Sequence, residues 1–261
     1  MHSYRFPRLA ALLVSGSLAL TAVSAAQVTP SEGFDIGGAI DLSPYCGTFP
    51  SVYVFEDSSA LVFDGRQISL ISGDGTLLRD YGTAPFSVFA SFLEVDEAAG
   101  IAYVGESSFG TIRSLDLATG QLSPVTTIDF NFDFAFDVVP GLAYVTASPN
   151  GFGATEVYRI DLLSGQTTLV ADIGGFSGPI EVDELGNVFV GVLPGTFPIP
   201  PGSVDIVTFD ASDVNSGVVL TLSDATVYSS GFNGLSSTAY DKANGGLVAI
   251  ETNAGAGGME S

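Results

Sequence analysis

The residues SLDLATGQ at positions 114–121 return as RIDLLSGQ at positions 159–166, 45 residues further along the chain. In both copies an apolar stretch ends in a Gly turn and another β-rich stretch follows, which is typical of two antiparallel strands joined by a tight reversal. A similar pair of stretches precedes each copy, IAYVGESSFG at 101–110 and LAYVTASPNGFGA at 142–154. The repeated unit therefore has four strands.

An acidic residue marks the reversal between the first two strands of five such units. The five anchors are Glu56, Asp96, Asp137, Asp183 and Asp241, with steps of 40, 41, 46 and 58 residues. A period in the forties with several short strands per unit is typical of propeller blades. The strands are apolar on both faces, as stacked sheets require. We therefore predict an all-β protein, a β-propeller of four-stranded antiparallel blades, with four complete blades and one partial blade within residues 51–252.

Two of the units carry a family resemblance. YVG at 103–105, LD at 115–116 and TG at 119–120 resemble the blade repeat of YVTN-type and PQQ-type propellers, and YVT at 144–146 with ID at 160–161 repeats the pattern. The resemblance implies a secreted or periplasmic propeller used mostly for recognition. The chain has no Trp, which argues against quinone binding by such repeats.

The N-terminus has the order of a secretory signal peptide. Arg5 and Arg8 precede an apolar stretch at 9–23 and the small residues Ser24, Ala25 and Ala26. We predict a signal peptide at 1–26, a secreted or periplasmic protein, and no membrane span after processing; the alternative is an N-terminal anchor. Residues 27–50 form an N-terminal segment in which FDIGGAIDL at 34–42 is a candidate strand for closing the ring. The alternative is a piece of a longer propeller. We expect residues 253–261 to form a flexible C-terminal tail.

Charge and composition exclude several functions. After residue 26 the chain keeps five basic residues against 29 acidic ones, a formal charge of −24, so we expect no nucleic-acid partner. His2 is the only histidine and lies in the signal peptide, which excludes Ser-His-Asp and Cys-His catalysis and His-ligated metals. Cys46 is the only cysteine, so no internal disulfide can form.

A Phe-rich rim is the first candidate site. In a propeller, the loops between the second and third strands and those between blades lie at one end, and here these loops are rich in Phe. The candidate rim consists of Phe86, Phe109, Phe132, Phe152, Phe176 and Phe232. One interpretation is an apolar recognition surface. The simpler one, which we favour, is that these rings fill gaps between blades.

A calcium site is the second candidate, in DFNFDFAFD at 129–137. In a regular strand Asp129, Asn131 and Asp133 share one face, where oxygen ligands could hold Ca²⁺. An amphipathic edge strand with a solvated acidic face explains the pattern more simply. We expect no cofactor other than this calcium ion.

The predicted function is recognition. We expect an exported acidic propeller that acts as a binding module for an extracellular or periplasmic protein, a polymer or a surface ligand, and that is not an enzyme. The alternative is a propeller hydrolase, resembling either a calcium-dependent lactonase or a carboxylate-based glycosidase. Such an enzyme needs carboxylates that converge in one place.

Overall fold

A computed structural model of the chain describes residues 51–83, 90–107, 110–151, 154–176, 178–195, 199–242 and 244–251. The chain divides into two compact units, Met1–Ala90 and Ser91–Ser261. The expected signal peptide, N-terminal segment and C-terminal tail lie outside the described residues. Among the described residues, no helix combines the length and the apolar character needed to cross a membrane.

The first unit contains one antiparallel sheet of four strands in the order β1-β2-β3-β4. Its strands are β1 (Ser51–Val54), β2 (Ala60–Phe63), β3 (Gln67–Ile71) and β4 (Leu77–Thr83). Every residue of β2 is buried, as expected of a strand that is apolar on both faces.

The described residues of the second unit form four sheets, which we number second to fifth. The second sheet is β5 (Ala90–Asp96), β6 (Ile101–Glu106), β7 (Thr111–Asp116) and β8 (Leu122–Thr127). The third is β9 (Asn131–Phe136), β10 (Leu142–Ala147), β11 (Glu156–Asp161) and β12 (Thr167–Asp172). The fourth is β13 (Ile180–Val182), β14 (Val188–Val192), β15 (Val204–Phe209) and β17 (Thr226–Phe232). The fifth is β18 (Leu235–Asp241) and β19 (Gly246–Glu251).

The core of the second unit lies between consecutive sheets. One cluster joins Phe92 of the second sheet to Phe134 of the third, whose rings stack with centroids 5.1 Å apart. A second cluster joins Tyr144 of the third sheet to Phe209 of the fourth. In β10 the faces alternate between these clusters, since Val145 belongs to the first and Tyr144 to the second. Both faces of the third sheet are thus buried, which stabilises sheets that could not fold alone.

The connection from β15 to β17 crosses to the neighbouring sheet. Residues 210–225 contain the short helix α1 (Ala211–Val214), the strand β16 (Leu220–Thr221) and the 3₁₀ turn Leu222–Asp224. β16 pairs in parallel with β12, as a fifth strand of the third sheet. The Arg159 guanidinium of β11 also donates to Asn215 Oδ1 at 2.6 Å.

In the third sheet, the turn between β11 and β12 contacts the second sheet. Its turn residue Gly165 has φ +72° and lies so close to the Val125 carbonyl oxygen of β8 that any Cβ would collide with it. Only Gly adopts this backbone conformation readily, and because it has no Cβ it leaves room for the carbonyl oxygen. The turns between third and fourth strands therefore hold adjacent sheets together.

The predicted all-β class and the four-stranded antiparallel sheets are confirmed. The number of blades in a complete ring stays a prediction.

Candidate functional site

Strand β9, within the candidate calcium segment, contains a β-bulge. Asn131 pairs with Ala147 and Asp133 pairs with Thr146, which leaves Phe132 without a partner on β10. An extra residue in one strand reverses the alternation of side chains beyond it. Asn131 and Asp133 therefore lie on opposite faces of the third sheet. The expectation that they share a face is wrong, because it assumed a regular strand.

Asn131 forms hydrogen bonds at the interface between the second and third sheets. Its side chain is buried, and its Nδ2 donates to the carbonyl oxygens of Ile128 at 3.1 Å and Glu106 at 3.3 Å. The Ser91 hydroxyl donates to its Oδ1. Asp129 is exposed in the turn before β9. Among the described residues, no group of three or more His, Cys, Asp or Glu side chains is arranged to hold a metal ion.

The described members of the Phe rim differ in exposure. Phe86, Phe109 and Phe152 lie outside the described residues. Phe132, the bulged residue, is 36% exposed. Phe176 and Phe232 are half-buried: the Phe176 N–H donates to the Leu193 carbonyl at 3.0 Å, and Phe232 packs against the cluster between the fourth and fifth sheets. Phe232 thus packs between sheets, and a ligand rim stays a prediction.

Three carboxylates meet on the first strands of the second, third and fourth sheets, Glu94 on β5, Asp133 on β9 and Glu181 on β13. All three are half-buried. Asp133 Oδ2 accepts the Ile180 N–H at 2.9 Å, which links β9 to β13. We call these three residues the acid trio. Asp133 and Glu181 lie close enough to Glu94 to raise the pKa of its carboxyl, and Asp133 has the same effect on Glu181.

Burial is the main cause of the raised pKa values of the acid trio. It raises the pKa of Asp133 to about 7, against the opposing effect of the Ile180 N–H. Burial and then the Asp133 charge raise the pKa of Glu181 to about 8, with Lys242 acting in the other direction. Burial, Asp133 and Glu181 raise the pKa of Glu94 well above its usual value. Carboxyl groups that exchange protons near neutral pH can act as general acids or bases.

Sequence reasoning missed the trio, although a signal for part of it exists. Glu94 and Glu181 both stand two residues before an anchor Asp, in the tripeptide EVD at 94–96 and at 181–183. An acidic residue recurring inside an apolar strand is unusual, because burying a charge is costly. No comparable motif marks Asp133, and the bulge decides on which face of the third sheet its side chain lies.

The end of the second unit opposite the predicted Phe rim carries exposed apolar residues. Val138 and Val139 lie in the β9–β10 connection, and Leu185 lies in the β13–β14 connection, 76% exposed. β9 and β13 run the same way, since Asp133 meets Ile180 near their starts and Val138 meets Gly186 beyond their ends. We call Val138, Val139 and Leu185 the turn-end surface. It is continuous because Val138 comes within 3.2 Å of the Cβ position of Gly186.

Acidic residues surround the turn-end surface. They occupy the same connections and the start of α1: Asp137, Asp183, Glu184, Asp210 and Asp213. Asp183 is buried and fixes its turn, with Oδ1 accepting the N–H groups of Leu185 at 2.9 Å and Asn187 at 2.8 Å. Glu184, Asp210 and Asp213 are exposed. The apolar centre therefore has an acidic rim.

Comparisons with known proteins support the fold. No protein-family profile and no curated protein sequence matches the chain. Among solved structures, a chain of a nidogen/laminin complex is similar with a TM-score of 0.54 and 16% identity, over 72% of this chain and 67% of that one. Hydrazine synthase of Kuenenia stuttgartiensis is similar with a TM-score of 0.52 and 12% identity, over 69% of this chain and 49% of that one. Together with the four-stranded antiparallel sheets, these likenesses indicate a β-propeller fold.

Proposed function

We propose that this chain is an exported protein-binding module. The turn-end surface carries the proposal: three large apolar side chains stand together in turns, where polar residues are usual. Exposed apolar groups with a polar rim are typical of protein interaction sites. The basic, apolar and small residues at the N-terminus support export. The similar chain of a nidogen/laminin complex is consistent with this use of the fold.

The position of the turn-end surface suits a binding role. Val139 is 49% exposed, and its turn is fixed by the Asp137 carboxylate, which accepts the Val139 N–H at 3.2 Å. The Leu185 turn is fixed by Asp183 in the same way. Side chains on turns that are held by hydrogen bonds lose little conformational entropy when a partner binds.

The test is a capture experiment with matched variants. The processed chain is immobilised and exposed to the extracellular proteins of the cells that produce it, and the retained proteins are identified by mass spectrometry. V139S/L185S removes apolar area from the turn-end surface. V227T/I250T removes it from exposed positions on the strands β17 and β19 and serves as the control.

We expect a protein that is retained by the wild type and by V227T/I250T and lost with V139S/L185S. Its affinity is then measured by biolayer interferometry with the purified protein. Retention of no protein above the blank surface, or of the same proteins by all three forms, would contradict the proposal.

The acid trio favours a second candidate function, a carboxylate-based hydrolase. Burial gives Asp133 a pKa of about 7 and Glu181 a pKa of about 8, so one can donate a proton while the other accepts one near neutral pH. Glycoside hydrolysis uses such a pair.

A panel of nitrophenyl glycosides tests this alternative. Activity that falls by at least about a hundredfold in D133N and in E181Q, and is kept in D129N, would support a hydrolase. D129N removes an exposed carboxylate close to the same strand. No turnover by the wild type of any glycoside between pH 5 and 9 would remove the alternative.

A further inference from the structure

We propose that the turn-end surface receives a basic partner, one that presents Lys or Arg side chains around an apolar centre. This inference rests on the proposed function and specifies the partner. It follows from how charge is distributed over the second unit.

The second unit has few basic residues, and the two that lie near its turn end, Arg159 and Lys242, are outnumbered by the acidic residues there. Arg113, Arg159 and Lys242 are the only basic residues between residues 91 and 251. The Arg113 Nε is paired with Glu106 Oε1 at 3.1 Å, at the end of β6 away from the turns. Arg159 donates to Asn215. Lys242 lies in the β18–β19 connection beside the anchor Asp241.

The acidic groups are concentrated in the turns themselves. The connections between first and second strands and between third and fourth strands, together with the last residues of the strands that lead into them, contain Asp96, Glu97, Asp116, Asp137, Asp161, Asp183, Glu184, Asp210, Asp213, Asp224 and Asp241. Several of these carboxylates accept backbone N–H groups of their own turns, as Asp116 and Asp161 do. At Asp161 the N–H and the hydroxyl of Ser164 lower the pKa of the carboxyl.

An acidic partner would be repelled by this rim, and a purely apolar partner would leave the rim carboxylates partly desolvated and unpaired. A basic rim around an apolar centre meets both requirements. Leu185 then supplies the apolar contact, while Glu184 and Asp213 pair with cations at the edge. Because rim pairs are solvent-exposed, we expect them to govern partner choice and association rate more than total affinity.

The probe is a fluorescein-labelled 12-residue peptide of alternating Lys with Leu or Val, and its counterpart has Glu in place of Lys. Binding is measured by fluorescence anisotropy at 50 and 300 mM NaCl. E184Q/D213N neutralises two exposed rim carboxylates. D129N/D172N neutralises two exposed carboxylates at the opposite end and leaves the same net charge.

We expect E184Q/D213N to weaken Lys-peptide binding at 50 mM NaCl by about threefold to tenfold, with a smaller change in D129N/D172N. V139S/L185S should also weaken it, and the Glu peptide should not bind. Equal loss in the two neutralised variants would show that net charge alone attracts the peptide, and it would overturn the inference. So would binding of the Glu peptide.

The two proposals fail in different ways. If the capture experiment retains an acidic protein through the turn-end surface, and the peptide shows no preference between the neutralised variants, the binding module stands and the basic partner does not. If no protein is captured, the proposed function fails, whatever the peptide shows.

Discussion

Replacing Asp133 by Asn should make the protein less sensitive to pH and more stable at pH 8. In the unfolded chain this carboxyl has a pKa of 3.8, and in the folded chain burial raises the pKa to about 7. Between these values the folded state holds a proton that the unfolded state has released. The stability of the wild type therefore falls as the pH rises through about 7. Asn keeps an oxygen that can accept the Ile180 N–H and has no proton to lose.

The magnitude follows from that difference in pKa. A carboxyl with pKa 3.8 unfolded and about 7 folded contributes about 3 kcal/mol less stability at pH 8 than at pH 5. Relaxation of the fold and entry of water reduce this, so we expect about 1–2 kcal/mol. For a domain of this size that corresponds to a change in Tm of about 2–8 °C. The only His of the chain is His2, so no histidine of the second unit titrates in this pH range and contributes to the change in stability.

The assay is urea unfolding, followed by circular dichroism, of the wild type, D133N and D129N at intervals from pH 5 to 8.5. The wild type and D129N should lose stability over this range, and D133N should lose less. D133N should also lower the pKa of Glu181, since the Asp133 charge contributes to raising it. Parallel stability curves for the wild type and D133N would refute the reasoning.

Three further predictions concern the free energy of unfolding, measured by urea titration at pH 6. F134A should lower it by about 3–5 kcal/mol, because Phe134 is buried between the second and third sheets. An F134A variant as stable as the wild type would contradict a core between stacked sheets. G165A should lower it by at least about 1 kcal/mol, since φ is +72° and the Val125 carbonyl occupies the space of the Cβ; no loss would mean that this turn does not dock on β8. Y144F should change it by less than about 1 kcal/mol, because the buried hydroxyl of Tyr144 lies near Arg159 and Asp137 without a hydrogen bond of normal geometry to either; a larger loss would reveal such a bond.

The repeat was readable from the sequence because its units depend on local signals. Gly turns and apolar stretches placed the strands, and apolar residues on both faces predicted burial between sheets. β10 fits this reasoning, with Ala143, Tyr144 and Val145 all buried. The pairing of β16 with the third sheet could not be predicted from the sequence. Leu220 and Thr221 pair with a strand about 50 residues earlier, and no local pattern specifies that partner.

The candidate sites were harder to predict for a physical reason. Counting alternate residues along β9 assumes one residue per pleat, and the bulge at Phe132 breaks that count. The turn-end surface did have a signal, since Val138, Val139 and Leu185 are apolar residues inside predicted reversals. The anchors Asp137 and Asp183 explain these turns as structural features, and that interpretation leaves the apolar residues beside them unexplained.

The bulge also explains why a carboxylate lies at the joint between the third and fourth sheets. A first strand such as β13 has one neighbour in its own sheet, so alternate N–H groups point away from that neighbour and need another acceptor. The reversal at Phe132 turns Asp133 toward β13, where it accepts the Ile180 N–H. One hydrogen bond recovers only part of the solvation that a buried carboxylate loses, and Glu181 adds like charge beside it. The contact that joins the two sheets therefore also makes their joint sensitive to pH, and a regular β9 without the bulge would have neither property.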